Sequence, residues 1–255
     1  MTADSVSVPE TLDGWFALHD FRRVDRYAWS GFSKAQREST LIEAADLLTS
    51  FEHVDDAVAG HSVTYSVVGH KSDILMVHLR PGLDQLHELE RAFDRTTLGS
   101  LSTRTYSYLS VTEVSRHGLP EGAAENIEAS PYVQARLYPD IPAASEYVCF
   151  YPMSKKRAGG DNWYVLSGAE RAELMRAHGR TGRRYAGRVS QIVTGSMGLD
   201  DWEWGVTLFS DDPLEFKKIV YEMRFDEVSA RFAEFGPFFV GHRLLPGELG
   251  GWLGE

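Results

Sequence analysis

The chain contains a single cysteine, Cys149, in 255 residues. That excludes an intrachain disulfide, and any zinc or iron–sulfur site built on several thiolates. No run of about 18 apolar residues occurs, so no membrane span is expected. The N-terminus, MTADSVSVPETLDGW, has neither a basic start nor an apolar stretch, which argues against a secretory signal and for a cytoplasmic location. Positive charge is in short supply: 26 Lys and Arg stand against 37 Asp and Glu, a net −11. Nucleic-acid binding needs a basic surface to neutralise phosphates and is not expected. HExxH, GxxxxGK[ST] and a strand–GxGxxG–helix arrangement are also missing.

What is present is ordinary globular material, 43% hydrophobic and 25% charged, enough for one large domain or two small ones. GWFALHDFRRVD (14–25) reads as a strand, and SKAQRESTLIEAADLLTSFEHV (33–54) as a helix with Leu41, Ala44, Ala45, Leu48 and Phe51 at helical spacing. Two strands follow in 63–80 around a turn at Gly69–Asp73, then a helix over 81–101 entered through Pro81, then a strand over 105–114. Residues 117–145, with Pro120, Gly122, Pro131, Pro139 and Pro142, read as a connecting loop. The same order then returns: a strand EYVCFYPMSKK, a helix opened by the capping box Ser167–Glu170, strands at RVSQIVTGS and WEWGVTLFS, a helix from Asp212-Pro213, and a strand GPFFVGHRLL. The class is α+β, two fused ferredoxin-like (βαββαβ) halves over 12–116 and 146–250. Their sheets are expected to join face to edge around a shared core.

Nine histidines are candidates for chemistry. His53, His61, His87 and His117 lie in polar contexts that suit solvated surface, His70 sits at a turn, and His78 could face either way from its strand. His178 stands one turn after Leu174 and three residues after Met175, on their apolar face. A lone histidine there is more often a satisfied core residue than a ligand. One imidazole can nevertheless suffice for the iron of a porphyrin, whose ring supplies four other donors. On a strand, Tyr147, Cys149 and Tyr151 share one face, and Val148 and Phe150 the other. That pattern fits plain packing, or a redox-active phenol beside an oxidant; Cys149 reads as a small buried hydrophobe. Lys155, Lys156, Arg157, Arg136, Arg180, Arg183 and Arg184 gather cations around these stretches, as a carboxylate ligand would require. Trp163, Trp202 and Trp204 suit either core packing or the wall of a flat pocket.

The stretches YVCFYPMSKKR (147–157), DNWYVL (161–166), LMRAHGRTGRRYAGRVSQIVTGS (174–196), DDWEWGVTLFSDDPLEFKKIVYEMRFDEVSARF (200–232) and FGPFFVG (235–241) resemble the coproheme decarboxylases of the chlorite dismutase-like superfamily. GWFALHDFR and VVGHKSDILMVHLRPGLD extend the resemblance more thinly into the first half. It implies a dimeric α+β barrel assembled as a homopentamer. The implied reaction is the peroxide-driven loss of two propionate carboxyls from iron coproporphyrin III (coproheme), giving haem b. His178 would be the axial iron ligand and Tyr151 the catalytic radical residue. Gln191 would lie on the opposite face of the ring. Arg136, the run Tyr151, Pro152, Met153, Ser154 and Lys155, and Ser229 would hold propionates. Implied partners are the porphyrin, hydrogen peroxide, further copies of the chain and, transiently, a coproporphyrin ferrochelatase. Chlorite dismutase, a haem carrier and a dye-decolourising-type peroxidase remain as alternatives. The first would place an arginine where Gln191 stands, the second has no use for Tyr151, and the third would hold a distal aspartate.

Overall fold

The structure of the protein, a computed structural model, describes residues 8, 10–115, 127–142 and 144–255. His117, Pro120 and Gly122 lie outside the described residues, as does most of the N-terminal tail. The first half runs β1 (Thr11–Val24), α1 (Arg26–Ser30), α2 (Lys34–His53), β2 (His61–Val67), β3 (Ile74–Arg80), α3 (Leu83–Asp94), α4 (Thr97–Ser100) and β4 (Ser102–Ser115). The connection carries α5 (Pro131–Leu137). The second half runs β5 (Tyr147–Lys155), the small hairpin β6 (Arg157–Ala158) and β7 (Asp161–Asn162), α6 (Gly168–Arg183), β8 (Ser190–Gly195), β9 (Trp204–Ser210), α7 (Leu214–Met223), α8 (Glu227–Phe232), β10 (Ala233–Phe235), β11 (Phe239–Arg243) and α9 (Leu249–Leu253).

Each half keeps its first and third strands central: the order is β2-β3-β1-β4 in one and β11-β5-β9-β8 in the other. The halves meet edge to edge, not face to edge as the sequence suggested. β11 pairs with β2, and β4 pairs with β8. Eight strands therefore close into a barrel. Closure satisfies the N–H and C=O groups that two separate sheets would leave open at four edges. The inside is filled by Ala17, Phe21, Tyr65, Leu79, Val148, Phe150, Phe209 and Phe239. On the outside of the first half, α2, α3 and α9 cover Leu18, Ile74 and Met76.

Several local expectations change. The helix expected over 81–101 breaks after Asp94, because Thr96 caps a new turn by accepting from the Gly99 N–H at 2.9 Å. A side chain at Gly99 would collide with the Phe93 carbonyl, with its Cβ only 1.9 Å away. The expected loop 117–145 contains α5, started by Pro131 at its first position and held by Val133 and Leu137 against Val114. His61 is half-buried rather than solvated: its Nε2 meets Asp140 at 2.9 Å and its ring packs near Trp15. His78 is buried beside the Ser62 hydroxyl at 2.8 Å. His53, His70 and His87 are exposed, as expected.

Candidate active site

β5 alternates as its sequence dictates. Val148 and Phe150 enter the barrel core, while Tyr147, Cys149, Tyr151 and Met153 join an outer cluster with Val206, Leu208 and, from α7, Phe216 and Ile219. The strand register extends this face across the sheet. Tyr151 lies opposite Val206, which lies opposite Val193; Cys149 lies opposite Leu208, which lies opposite Gln191. Gln191 thus shares the outer face with Tyr151, two strands away, and is exposed. Pro152 and Ser154 fall on the alternate positions. Pro152 packs against Gly236, and the Ser154 hydroxyl accepts from the Glu203 N–H at 3.3 Å.

Tyr151 is 8% exposed, its ring stacked on Phe238 at 4.5 Å and tilted against Phe235. Its hydroxyl has no hydrogen-bond partner among the described residues. Burial pushes the phenol well above its ordinary pKa, Cys149 nearby adds to this, and the Arg224 charge opposes it. The phenol is therefore fully protonated at neutral pH. Arg224, whose guanidinium stands 4.0 Å over the Phe235 ring, is a residue the sequence reading missed.

His178 sits on α6, which packs on α7 and α8. Its side chain is 30% exposed, and its Nδ1 lies 2.7 Å from Asp226 Oδ2, itself 6% exposed. Leu174, one turn before, is partly buried, but Met175 is 44% exposed, so the apolar face expected around His178 is narrower than its spacing suggested. With Nδ1 committed to a carboxylate, the neutral ring carries its proton there, and Nε2 is left as the free lone pair. Asp226 is also the N-cap of α8, accepting from the Ser229 N–H at 3.4 Å. One carboxylate thus orients the imidazole and fixes the start of the helix that carries Ser229, which is buried. The helix expected from Asp212-Pro213 stops at Met223, and this break places Asp226. Asp226 in FDEVS is a cap signature that the sequence reading passed over.

Lys155 continues the Tyr151 face and is 9% exposed. Its main chain is anchored by Glu203 at 2.7 Å, its ammonium lies 4.8 Å from the Trp163 ring centre, and Asp226 is close enough to act on its charge. Burial lowers its pKa to about 8, with Asp226 and Glu203 opposing. The charged form is disfavoured in the fold, so the penalty is complete below pH 8 and fades as pH rises toward the unfolded value near 10.4. Lys155→Met is expected to raise the melting temperature at pH 7 by roughly 5 °C, on the order of 2 kcal/mol. The gap to the parent protein should narrow by pH 10 in pH-resolved melting curves; a gap that does not change with pH would contradict a buried ammonium whose charge the fold disfavours.

The remaining candidates do not all converge. Arg136 is exposed on α5, its guanidinium over Tyr132, and no contact joins it to His178, Tyr151 or Lys155. Of the gathered cations, Arg157 meets Glu203 and Arg184 meets Glu222, so two are already paired within the chain. Trp163 is core beneath Lys155, with Val228 and Phe232, and Trp202 packs on the barrel cluster. Trp204 is half-buried on the outer face.

Asp226, which also acts on the Lys155 charge, anchors one nitrogen of a single imidazole, His178, and the other nitrogen has no hydrogen bond among the described residues. That donor set suits a metal that brings its other ligands with it, as a porphyrin iron does. The family model described as chlorite dismutase matches residues 37–244. The chain belongs to the chlorite dismutase family. It is 51% identical over 250 residues to a coproheme decarboxylase of Thermus thermophilus, covering 97% of this chain and 98% of that protein. A solved structure described as a novel haem-binding protein from Thermus thermophilus superposes with a TM-score of 0.90 at 50% identity, over 97% of this chain and 98% of that one. A mutant chlorite dismutase from Candidatus Nitrospira defluvii matches with a TM-score of 0.75 at 18% identity, over 95% and 97% of the two chains. That last likeness establishes the fold alone.

Proposed function

We propose that this member of the chlorite dismutase family is a coproheme decarboxylase. It would oxidatively remove two propionate carboxyls from iron coproporphyrin III with hydrogen peroxide, leaving vinyl groups and haem b. The observation that carries the reading is the union of Tyr151 and Lys155 on one strand face with the His178–Asp226 pair beside it. It occurs in a chain 51% identical over nearly its full length to a protein of that name.

When bound, the iron porphyrin would supply the oxidising equivalents that peroxide provides. His178 Nε2 would hold the iron, and Asp226 would keep the imidazole in one tautomer and one orientation. Lys155 binds a propionate carboxylate in a buried setting, where a charge-assisted pair is strong. That carboxylate in turn restores the ammonium charge that burial disfavours. Tyr151 gives up its hydroxyl hydrogen atom and, as the radical, takes one from the propionate β-carbon. The bond between the α-carbon and the carboxyl then breaks, carbon dioxide leaves and the vinyl forms. Per carboxyl, the propionate releases two electrons and one proton; with one proton from solvent they reduce one peroxide to two waters. The substrate has four propionates and the product two, so lost charge weakens product binding and favours release.

A haem carrier without turnover is the second reading, favoured by the haem-binding description of the structure at 50% identity. Mass spectrometry of the protein with iron coproporphyrin III and peroxide separates the two. The expected result is stepwise loss of two carboxyl masses through a three-propionate species; unchanged porphyrin mass would leave only the carrier. His178→Ala should lower iron-porphyrin affinity at least tenfold and alter the spin-state spectrum, whereas Asp226→Asn should shift the spectrum with smaller loss of affinity. An unaltered spectrum in His178→Ala would move the ligand elsewhere. The same reading carries a cytoplasmic homopentamer in transient contact with the ferrochelatase that supplies coproheme. Light scattering of the purified protein tests the pentamer.

A further inference from the structure

Glu113 is a carboxyl that the proposed chemistry does not use, on a face proposed to receive a polyanion. It projects from β4, in the first half of the chain, at the seam where Val111 pairs with Gly195 and Thr112 with Thr194. Its Oε1 accepts a hydrogen bond from Trp204 Nε1 at 3.2 Å. Its carboxyl lies over Gly195, where a Cβ would meet its carbon and Oε2 at 2.5 Å and its Oε1 at 2.8 Å. Any side chain at 195 would therefore displace it. Gly195 is opposite Trp204, and Trp204 is opposite Met153. This row runs parallel to the row Val193–Val206–Tyr151, two residues along each strand. Trp204 thus lies diagonally next to Tyr151 on adjacent strands, within reach of an aromatic side chain.

We propose that Glu113 is a positioning residue for the porphyrin: across the gap left by Gly195, it pins the Trp204 indole as the wall that seats the ring edge relative to Tyr151. This rests on the coproheme reading of the same face. The hydrogen bond fixes the indole about its side-chain torsions, and a flat ring packed on it inherits that orientation. The first half of the chain thereby contributes to a site built otherwise from the second. Burial raises the Glu113 pKa, the hydrogen bond from Trp204 opposes the rise, and Asp13, opposite it on β1, adds to it, so the surroundings of the Glu113 carboxyl disfavour a bare anion. Its carbonyl oxygen can accept from the indole in either protonation state.

Three variants test this. Glu113→Ala removes the acceptor, Glu113→Gln keeps an acceptor oxygen without charge, and Trp204→Phe removes the donor while keeping an aromatic wall. Each is titrated with iron coproporphyrin III, following the induced circular dichroism of the Soret band. Each is then given limiting peroxide, and the ratio of three-propionate species to haem b is measured. Glu113→Ala and Trp204→Phe should change the Soret dichroism in the same direction and raise the intermediate-to-product ratio about threefold or more. Glu113→Gln should match the parent protein in both. A variant that lowers only the melting temperature, with parental dichroism and product ratio, would make the pair a seam lock and overturn the proposal. Glu113→Gln behaving like Glu113→Ala would overturn the hydrogen-bond basis. The dichroism arm reads ring seating without turnover, so absence of decarboxylation in the parent protein would sink the proposed activity while leaving this inference to be decided on its own.

Discussion

Tyr151→Phe is expected to bind iron coproporphyrin III with near-parental affinity and to lose at least about 1000-fold in carboxyl removal. The phenylalanine keeps the stacking on Phe238 and the contact with Phe235. It breaks no hydrogen bond among the described residues, because the Tyr151 hydroxyl has no partner there. A change in melting temperature beyond a few degrees is therefore not expected. What disappears is the O–H bond itself. Burial holds the phenol protonated, so the group on offer is a hydrogen atom, electron and proton together, rather than a phenolate. Full turnover in Tyr151→Phe would remove the residue from the mechanism while leaving the fold and the His178 assignment standing. Loss of porphyrin binding in that variant would instead make Tyr151 an anchor.

The second large effect is acid lability that originates in two buried histidines outside the proposed porphyrin face. His19 is buried in the barrel interior, with Nε2 against the Thr207 hydroxyl at 2.8 Å and its ring stacked on Phe150 at 4.2 Å. His78 is buried beneath α2, in edge contact with Phe51. Burial lowers each pKa from 6.5 to about 3. In the unfolded chain both protonate near pH 6.5, while in the fold both remain neutral. Between those values the unfolded state binds more protons, so stability is complete above pH 6.5 and falls as pH drops toward 3. Each histidine contributes up to about 1.4 kcal/mol per pH unit in that window. By pH 4 the pair removes on the order of 6 kcal/mol, comparable with the whole stability of an ordinary domain. Urea unfolding at pH 7, 5.5 and 4.5 should show this steep loss. A His19→Gln, His78→Gln double variant should start less stable but lose less per pH unit; parallel slopes would assign the lability to the carboxylates instead.

Much of this was legible locally. Alternation alone assigned Tyr147, Cys149 and Tyr151 to one face of a strand and Val148 and Phe150 to the other, and the two faces lie where the register requires. The Ser167–Glu170 capping box fixed where α6 starts, and hence the turn on which His178 rides. His19 escaped notice because its neighbours in HDF show nothing of Thr207 and Phe150, which meet it only when the barrel closes.

The sequence by itself determined the α+β class, the repeated element order and, through the family resemblance, the identity of Tyr151 and His178 as the residues to examine. These follow from periodicity, caps and motif, all of which are properties of neighbours in the chain. Only the tertiary structure decided which residues support them. Asp226 reaches His178 from 48 residues away, and Glu113 reaches Trp204 across 91. The edge-to-edge closure of the halves, the burial of Lys155 and the exposure of Arg136 were settled at the same level. The physical reason is that helical and strand periods specify the face a side chain shares with its neighbours. What that face meets is fixed by strand order and helix packing, and these are chosen by the whole chain burying its surface at once.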